Sequence, residues 1–250
     1  MKQNIPIHAL ALFTLHSSAY NFCLLLFQHK MPEWSSWENL RELTVLFIGH
    51  SYVKRAKEYR SRNGLTPNVS IQDLFLKFIY IARGGKSYKF FNEDEEVKEE
   101  ILKYSPDIVL VALAGNSACK HSSNEMQLEN DEMRKFHNWL LIKFPNAYVA
   151  PIEAEPRFNW HNELPIERDI NLESYKQRRK SINSAMSRMA CKHGIIRVYN
   201  RLNDRNLFKP RHGNGYVDAH LNDEGLEIYL DIIHKGLEFL LRKWKFLSSQ

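Results

Sequence analysis

From Thr44 onward the chain alternates short apolar runs with stretches of helical period. Thr44-Val-Leu-Phe-Ile48 is apolar, partly β-branched and stopped by Gly49, which predicts a buried strand. Lys54 to Asn63 reads as a helix, ended by Gly64 and Pro67. Leu74 to Ala82 is a second apolar run before Gly84-Gly85, and Glu93 to Tyr104 is a second helix punctuated by Pro106. Asp107 to Ala114 is the clearest buried strand, and it ends at Gly115. A helix over Glu125 to Lys143, a strand over Ala147 to Ile152, a helix over Leu172 to Lys192 and a fifth strand over Ile195 to Tyr199 follow. Asn222 is placed to cap a last helix that carries Leu226, Tyr229, Leu230, Ile233, Leu237, Leu240, Leu241 and Trp244. Their spacings of three, four and seven make one apolar stripe.

Strand–helix alternation with apolar strands predicts an α/β fold, a parallel sheet covered on both faces by helices. Ligands of such sheets bind beyond the carboxyl ends of the strands. The informative positions are therefore Gly49-His-Ser51, Gly84-Gly85, Gly115-Asn116, Pro151 onward, and the Asp218-Ala-His220 turn before the last helix.

Residues 1–40 do not follow the alternation. Ile5 to Phe27 is rather apolar and follows Lys2, faintly like a signal peptide, but His8, His16, Ser17, Ser18 and Asn21 interrupt it. The same interruptions make it a poor membrane span. The expected organisation is an N-terminal appendage over 1–40 and one α/β domain over 41–250. The expected compartment is the cytoplasm, with secretion as the alternative if residues 1–30 act as a signal peptide.

Charge adds a little. The net charge is +6, with basic clusters at Lys54 to Arg62, Lys176 to Lys180 and Arg242 to Lys245. Such clusters can meet phosphates, but solvated faces of amphipathic helices are the plainer reading, so nucleic acid is a weakly supported partner. The acidic run Glu93 to Glu100 suits the first turn of a helix. Cys23, Cys119 and Cys191 give no disulfide framework. The repeated Ala-Cys-Lys-His at Ala118 to His121 and Ala190 to His193 falls at opposite ends of the expected sheet, against a shared zinc site.

Serine hydrolysis needs a hydroxyl, a base within reach and donors where the oxyanion develops. Ser51 lies at a strand-to-helix turn, Gly85 can offer an unobstructed backbone N–H, Asn116 an amide, and His220 a base held by the capped helix after it. Each has an innocent role. Ser51 alone is more simply a helix cap, Gly85 a turn, Asn116 a loop hydrogen bond, and His220 a structural histidine. Together, each after the appropriate element, they point to catalysis.

The blocks that carry these residues resemble those of the SGNH/GDSL hydrolases. Phe47-Ile-Gly-His-Ser-Tyr-Val53 resembles the first block, Arg83-Gly-Gly-Lys86 the glycine block, Ala114-Gly-Asn-Ser117 the Gly-x-Asn-Asp block, and Asp218-Ala-His-Leu-Asn-Asp-Glu-Gly225 the last. The resemblance spans Leu43 to Trp244. Gly-His-Ser, Pro156-Arg-Phe-Asn-Trp160, Tyr175, Arg178, Arg179 and Ile182-Asn183 are similar to the esterase-like domain of animal mobile-element proteins. The resemblance implies a flavodoxin-like, three-layer α/β/α sandwich with a five-stranded parallel sheet, and cleavage of acyl or acetyl esters of sugars or lipids through an acyl-enzyme on Ser51. His220 would be the base, and Ser51, Gly85 and Asn116 the oxyanion donors, with neither metal nor cofactor. Two positions depart from the pattern. Ser117 replaces the Asp of Gly-x-Asn-Asp, and the family Asp three residues before His is Val217, which leaves Asp218, one step late, as a third catalytic candidate expected to contribute less than Ser51 or His220. The alternative is a catalytically impaired scaffold that binds nucleic acid or a protein.

Overall fold

The computed structural model describes residues 41–65, 68–71, 74–118, 123–156, 172–190, 194–198, 201–210 and 217–244. The proposed appendage over 1–40, the cysteine–histidine echoes and positions 157–160 lie outside these residues.

Strand β1 (Arg41–Gly49) is central. It pairs in parallel with β3 (Leu74–Ala82) on one side and β4 (Ile108–Ala112) on the other, and β4 pairs in parallel with β5 (Tyr148–Pro151). A short antiparallel strand β2 (Val69–Ile71) closes the β3 edge, giving five strands in the order β2-β3-β1-β4-β5. The expected sheet is present, but its fifth member differs. Ile195 to Tyr199 is expected to be a strand; among its described residues Ile196 forms a parallel bridge with Ile152 in place of a named strand.

Alternation along each strand divides the core between two faces, because successive side chains in a strand point opposite ways. Leu43, Val45 and Phe47 share one face with Ile108 and Leu110, where they meet α1 (Ser51–Arg62) and the last helix. Leu46, Ile48, Val109 and Val111 share the other face with α2 (Tyr88–Glu93), α3 (Glu95–Leu102), α5 (Ser123–Lys143) and α6 (Leu172–Met189). The expected helix over Glu93 to Tyr104 is present as the shorter α3, which starts after Asp94, whose side chain accepts from the Val97 N–H and caps it; α2 before it is an additional helix. Glu95 and Glu96 lie in the first turn of α3, where the helix dipole favours them.

A single turn, α4 (Ala114–Ser117), follows β4. Strands β6 (Phe208–Pro210) and β7 (Val217–Leu221) form a separate antiparallel ribbon before α7 (Asp223–Lys243). Asn222 caps α7 as its sequence suggests, accepting from the Gly225 N–H at 2.8 Å. Gly225 is required there, since a Cβ would collide with the Leu207 carbonyl oxygen. On α7, Leu226, Tyr229, Ile233, Leu237, Leu240, Leu241 and Trp244 are buried as expected; Ile232 joins them, and Leu230 is half-buried. Each fully buried aliphatic side chain contributes on the order of 2 kcal/mol. Among the described residues no helix is long and apolar enough to cross a membrane.

Candidate active site

The parallel register brings the candidate residues together. Gly49 is level with Ala82 of β3 and Ala112 of β4, and Pro151 of β5 with Val111. The chain therefore leaves the sheet at one edge to form His50-Ser51, Arg83–Ser87, Ala114–Ser117 and Glu153–Glu155. Two backbone hydrogen bonds hold this edge: the Arg83 N–H donates to the Gly49 carbonyl at 2.9 Å, and the His50 N–H to that of Ala112 at 3.2 Å.

Ser51 opens α1, and it is not the cap. That role belongs to His50, whose Nδ1 accepts from the Tyr52 N–H at 3.4 Å. The Ser51 hydroxyl, half-buried, is thus spared capping duty and sits where the helix dipole favours negative charge. His50 is fully buried, and its Nε2 lies 3.3 Å from Glu155 Oε2. This is ion-pairing distance but outside hydrogen-bond geometry. Gly115 fits between them, since a Cβ there would meet both Glu155 and His50.

Gly85 has φ +71, a left-handed conformation that suits glycine, and a Cβ there would meet nothing within 4 Å. Beside it, Asn116 Nδ2 donates to the Lys86 carbonyl at 2.9 Å. Asn116 therefore bonds across to the glycine block, and two of the expected oxyanion donors belong to loops that touch. Both loops are also held by Glu129 of α5. Ser87 Oγ donates to Glu129 Oε1 at 3.0 Å and Ser117 Oγ to Glu129 Oε2 at 2.7 Å, with the carboxylate buried. Ser117, which replaces a carboxylate in the resembled pattern, meets one here through space.

His220 is half-buried in β7. The β7 ribbon does contact α1. The recorded ion pair between α1 and the start of α7, Arg62 Nη2 to Asp223 Oδ1 at 2.7 Å, lies at the end of α1 remote from Ser51. Residues 217–221 run as a strand, so the expected turn between Asp218 and His220 is extended backbone.

Sequence reasoning missed His50, Glu155 and Glu129. Glu129 left a signal: it occupies an inward position in the run Met126, Glu129, Met133, Phe136, Leu140, where a carboxylate is costly unless paired. Around Glu155, the Tyr175 hydroxyl donates to its carbonyl at 2.6 Å, and Asn183 Oδ1 accepts from the Ala154 N–H at 2.9 Å. The Tyr229 phenol is buried near Tyr52, their rings 5.8 Å apart. Burial, with the charge of Glu155 second, raises its pKa well above the ordinary value.

No protein-family model and no curated protein matches the sequence. Solved structures do match the fold. They include one described as a platelet activating factor from Streptococcus pneumonia, at 15% identity, covering 91% of this chain and 99% of that one, with a TM-score of 0.57. Others are the acetyl xylan esterase AlAXEase, at 16% identity, 77% and 98% coverage and a TM-score of 0.52, and a GDSL-like lipase from Parabacteroides merdae. For the lipase the identity is 14%, the coverage 81% and 98%, and the TM-score 0.52. The chain thus has the α/β fold of SGNH hydrolase structures, helices on both faces of a five-stranded, mostly parallel sheet.

Proposed function

We propose that the chain is a serine esterase that hydrolyses carboxylic esters through an acyl-enzyme on Ser51. The observation that carries this reading is the edge itself. A serine at a helix N-terminus, a glycine loop with a left-handed Gly85 and a loop presenting Asn116 leave adjacent strands together, the last two joined by Asn116 Nδ2 and the Lys86 carbonyl.

In this scheme His220 takes the proton of Ser51 as Oγ attacks the acyl carbonyl. The carbonyl π bond opens, and the charge on oxygen is met by the N–H groups of Ser51 and Gly85 and the amide of Asn116. The tetrahedral adduct collapses, His220 returns its proton to the departing alcohol, and the acyl group stays on Ser51. Water, deprotonated by His220, repeats the sequence and releases the acid. The scheme needs His220 within hydrogen-bond reach of Ser51, about 2.6–3.2 Å, which apo enzymes often attain only with substrate bound.

A fluorophosphonate probe tests the reading. Labelling of the wild type that is lost in Ser51→Ala, together with hydrolysis of acetyl or longer acyl esters, is the expected result. Folded protein that neither labels nor hydrolyses would overturn it. That outcome would favour the binding scaffold, toward which Val217 and the separate β7 ribbon point.

A further inference from the structure

We propose that Glu129 is a positioning residue that sets the distance between the two loops supplying the oxyanion donors. This inference rests on the esterase reading for its catalytic consequence, but its structural content stands on its own. Glu129 is one of few carboxylates buried among the described residues, and it projects from α5 out of an otherwise apolar stripe.

Its two oxygens are divided between two segments that are distant in sequence. Oε1 accepts from Ser87, two residues beyond Gly85, and Oε2 accepts from Ser117, the residue after Asn116. Ser87 stands at the N-cap position of α2 yet makes no capping hydrogen bond, so its hydroxyl is committed to Glu129. The Asn116 Nδ2 bond to the Lys86 carbonyl then closes a ring of contacts: Glu129, Ser87, Lys86, Asn116, Ser117 and back to Glu129.

A carboxylate is suited to this task. It presents two acceptor oxygens in a fixed plane, each able to hold a hydroxyl, and charge-assisted hydrogen bonds are stronger than neutral ones. Burial raises the cost of breaking either bond, because the group would then be left unsatisfied. The loops are accordingly held at one separation before any substrate arrives, and oxyanion stabilisation depends on such prior fixing of donors.

The test separates positioning from stability. Methionine is similar in size to glutamate and matches Met126 and Met133 on the same stripe, so Glu129→Met should fold, with a Tm lowered by the two hydroxyls it leaves without an acceptor. It should lower kcat about tenfold to hundredfold, as loss of alignment near the chemistry does, while KM changes less than about twofold. Glu129→Gln, whose amide can still meet both hydroxyls, should recover most of kcat. Amide hydrogen exchange should quicken at 84–88 and 114–118 in Glu129→Met and remain unchanged elsewhere. Wild-type kcat in Glu129→Met, or exchange at both loops unaffected, would overturn the proposal. If the wild type proves inactive the esterase reading falls, and loop exchange alone still decides whether Glu129 is the clamp.

Discussion

Asp218 and Val217 differ by one position, and the backbone between residues 217 and 220 decides which of them matters for His220. In a turn, residues three apart share a face; in a strand, residues two apart share a side. Val217–Leu221 is a strand, and on that ground we propose Asp218 as the residue that orients His220. Asp218→Ala should then lower kcat by up to about ten-thousandfold, the effect of losing the carboxylate that fixes a catalytic histidine, and Val217→Asp should restore nothing. Activity that rises in Val217→Asp would show that a family-like turn forms in solution. For the oxyanion site, Asn116→Ala should reduce kcat by about a hundredfold or more with little change in KM. A rise confined to KM would reassign Asn116 to substrate binding. The four blocks were legible because glycine, serine, asparagine and histidine each fall just past a hydrophobic run. His50 and Glu155 were not legible, because a histidine that caps its own helix and a glutamate buried against it are joined only by tertiary packing.

Helix α5 shows what an element's periodicity reveals and what it hides. Its apolar stripe predicts the face that meets the sheet, yet His137 lies fully inside that face, with Nδ1 3.0 Å from the Met133 carbonyl and its ring 5.7 Å from that of Tyr88. Burial, partly offset by the Met133 carbonyl, lowers its pKa from 6.5 to about 4. The native state thus holds the imidazole neutral where the unfolded chain would take up a proton. Its stability is complete above pH 6.5 and falls as pH drops toward 4. Across that window the loss is about 3 kcal/mol, at about 1.4 kcal/mol per pH unit. Urea midpoints at pH 7 and pH 4.5 should therefore diverge for the wild type and converge in His137→Leu; equal divergence in both would assign the acid sensitivity elsewhere. Other elements deviated where local signals compete. Asp94 is both the end of one helix and the cap of the next, so the acidic run Glu93 to Glu100 straddles a helix boundary. The edge strand β2 is three residues long, too short for alternation to register.

Among the described residues the positive charge is dispersed and partly paired. On α1, Lys54 faces Glu58 and Arg62 pairs with Asp223. In the Lys176 to Lys180 cluster, expected to be a solvated face, Arg179 turns inward and is 4% exposed. With Lys180, Arg197, Arg201 and Glu153 it lines a cavity of about 700 Å³. There Arg197 pairs with Glu153 at 2.7 Å, and Arg201 with Asp231 at 2.6 Å. Cations already matched to carboxylates release few counterions on meeting phosphate, so duplex or single-stranded nucleic acid should bind weakly even at low salt. Tight binding whose logarithm falls steeply with the logarithm of salt concentration would contradict this and favour the scaffold reading.

The face of the sheet that carries Leu43, Val45 and Phe47 is shared with α7 up to Trp244. About 200 residues of chain therefore separate the first and last contributors to one core. During synthesis, at about 5–20 residues per second, that face waits on the order of 10–40 s for α7 to be made. Strands β1 and β4 meanwhile have α1 as cover on that side, and parallel pairing of such distant segments is intrinsically slow. The nascent domain thus presents an apolar surface until α7 docks.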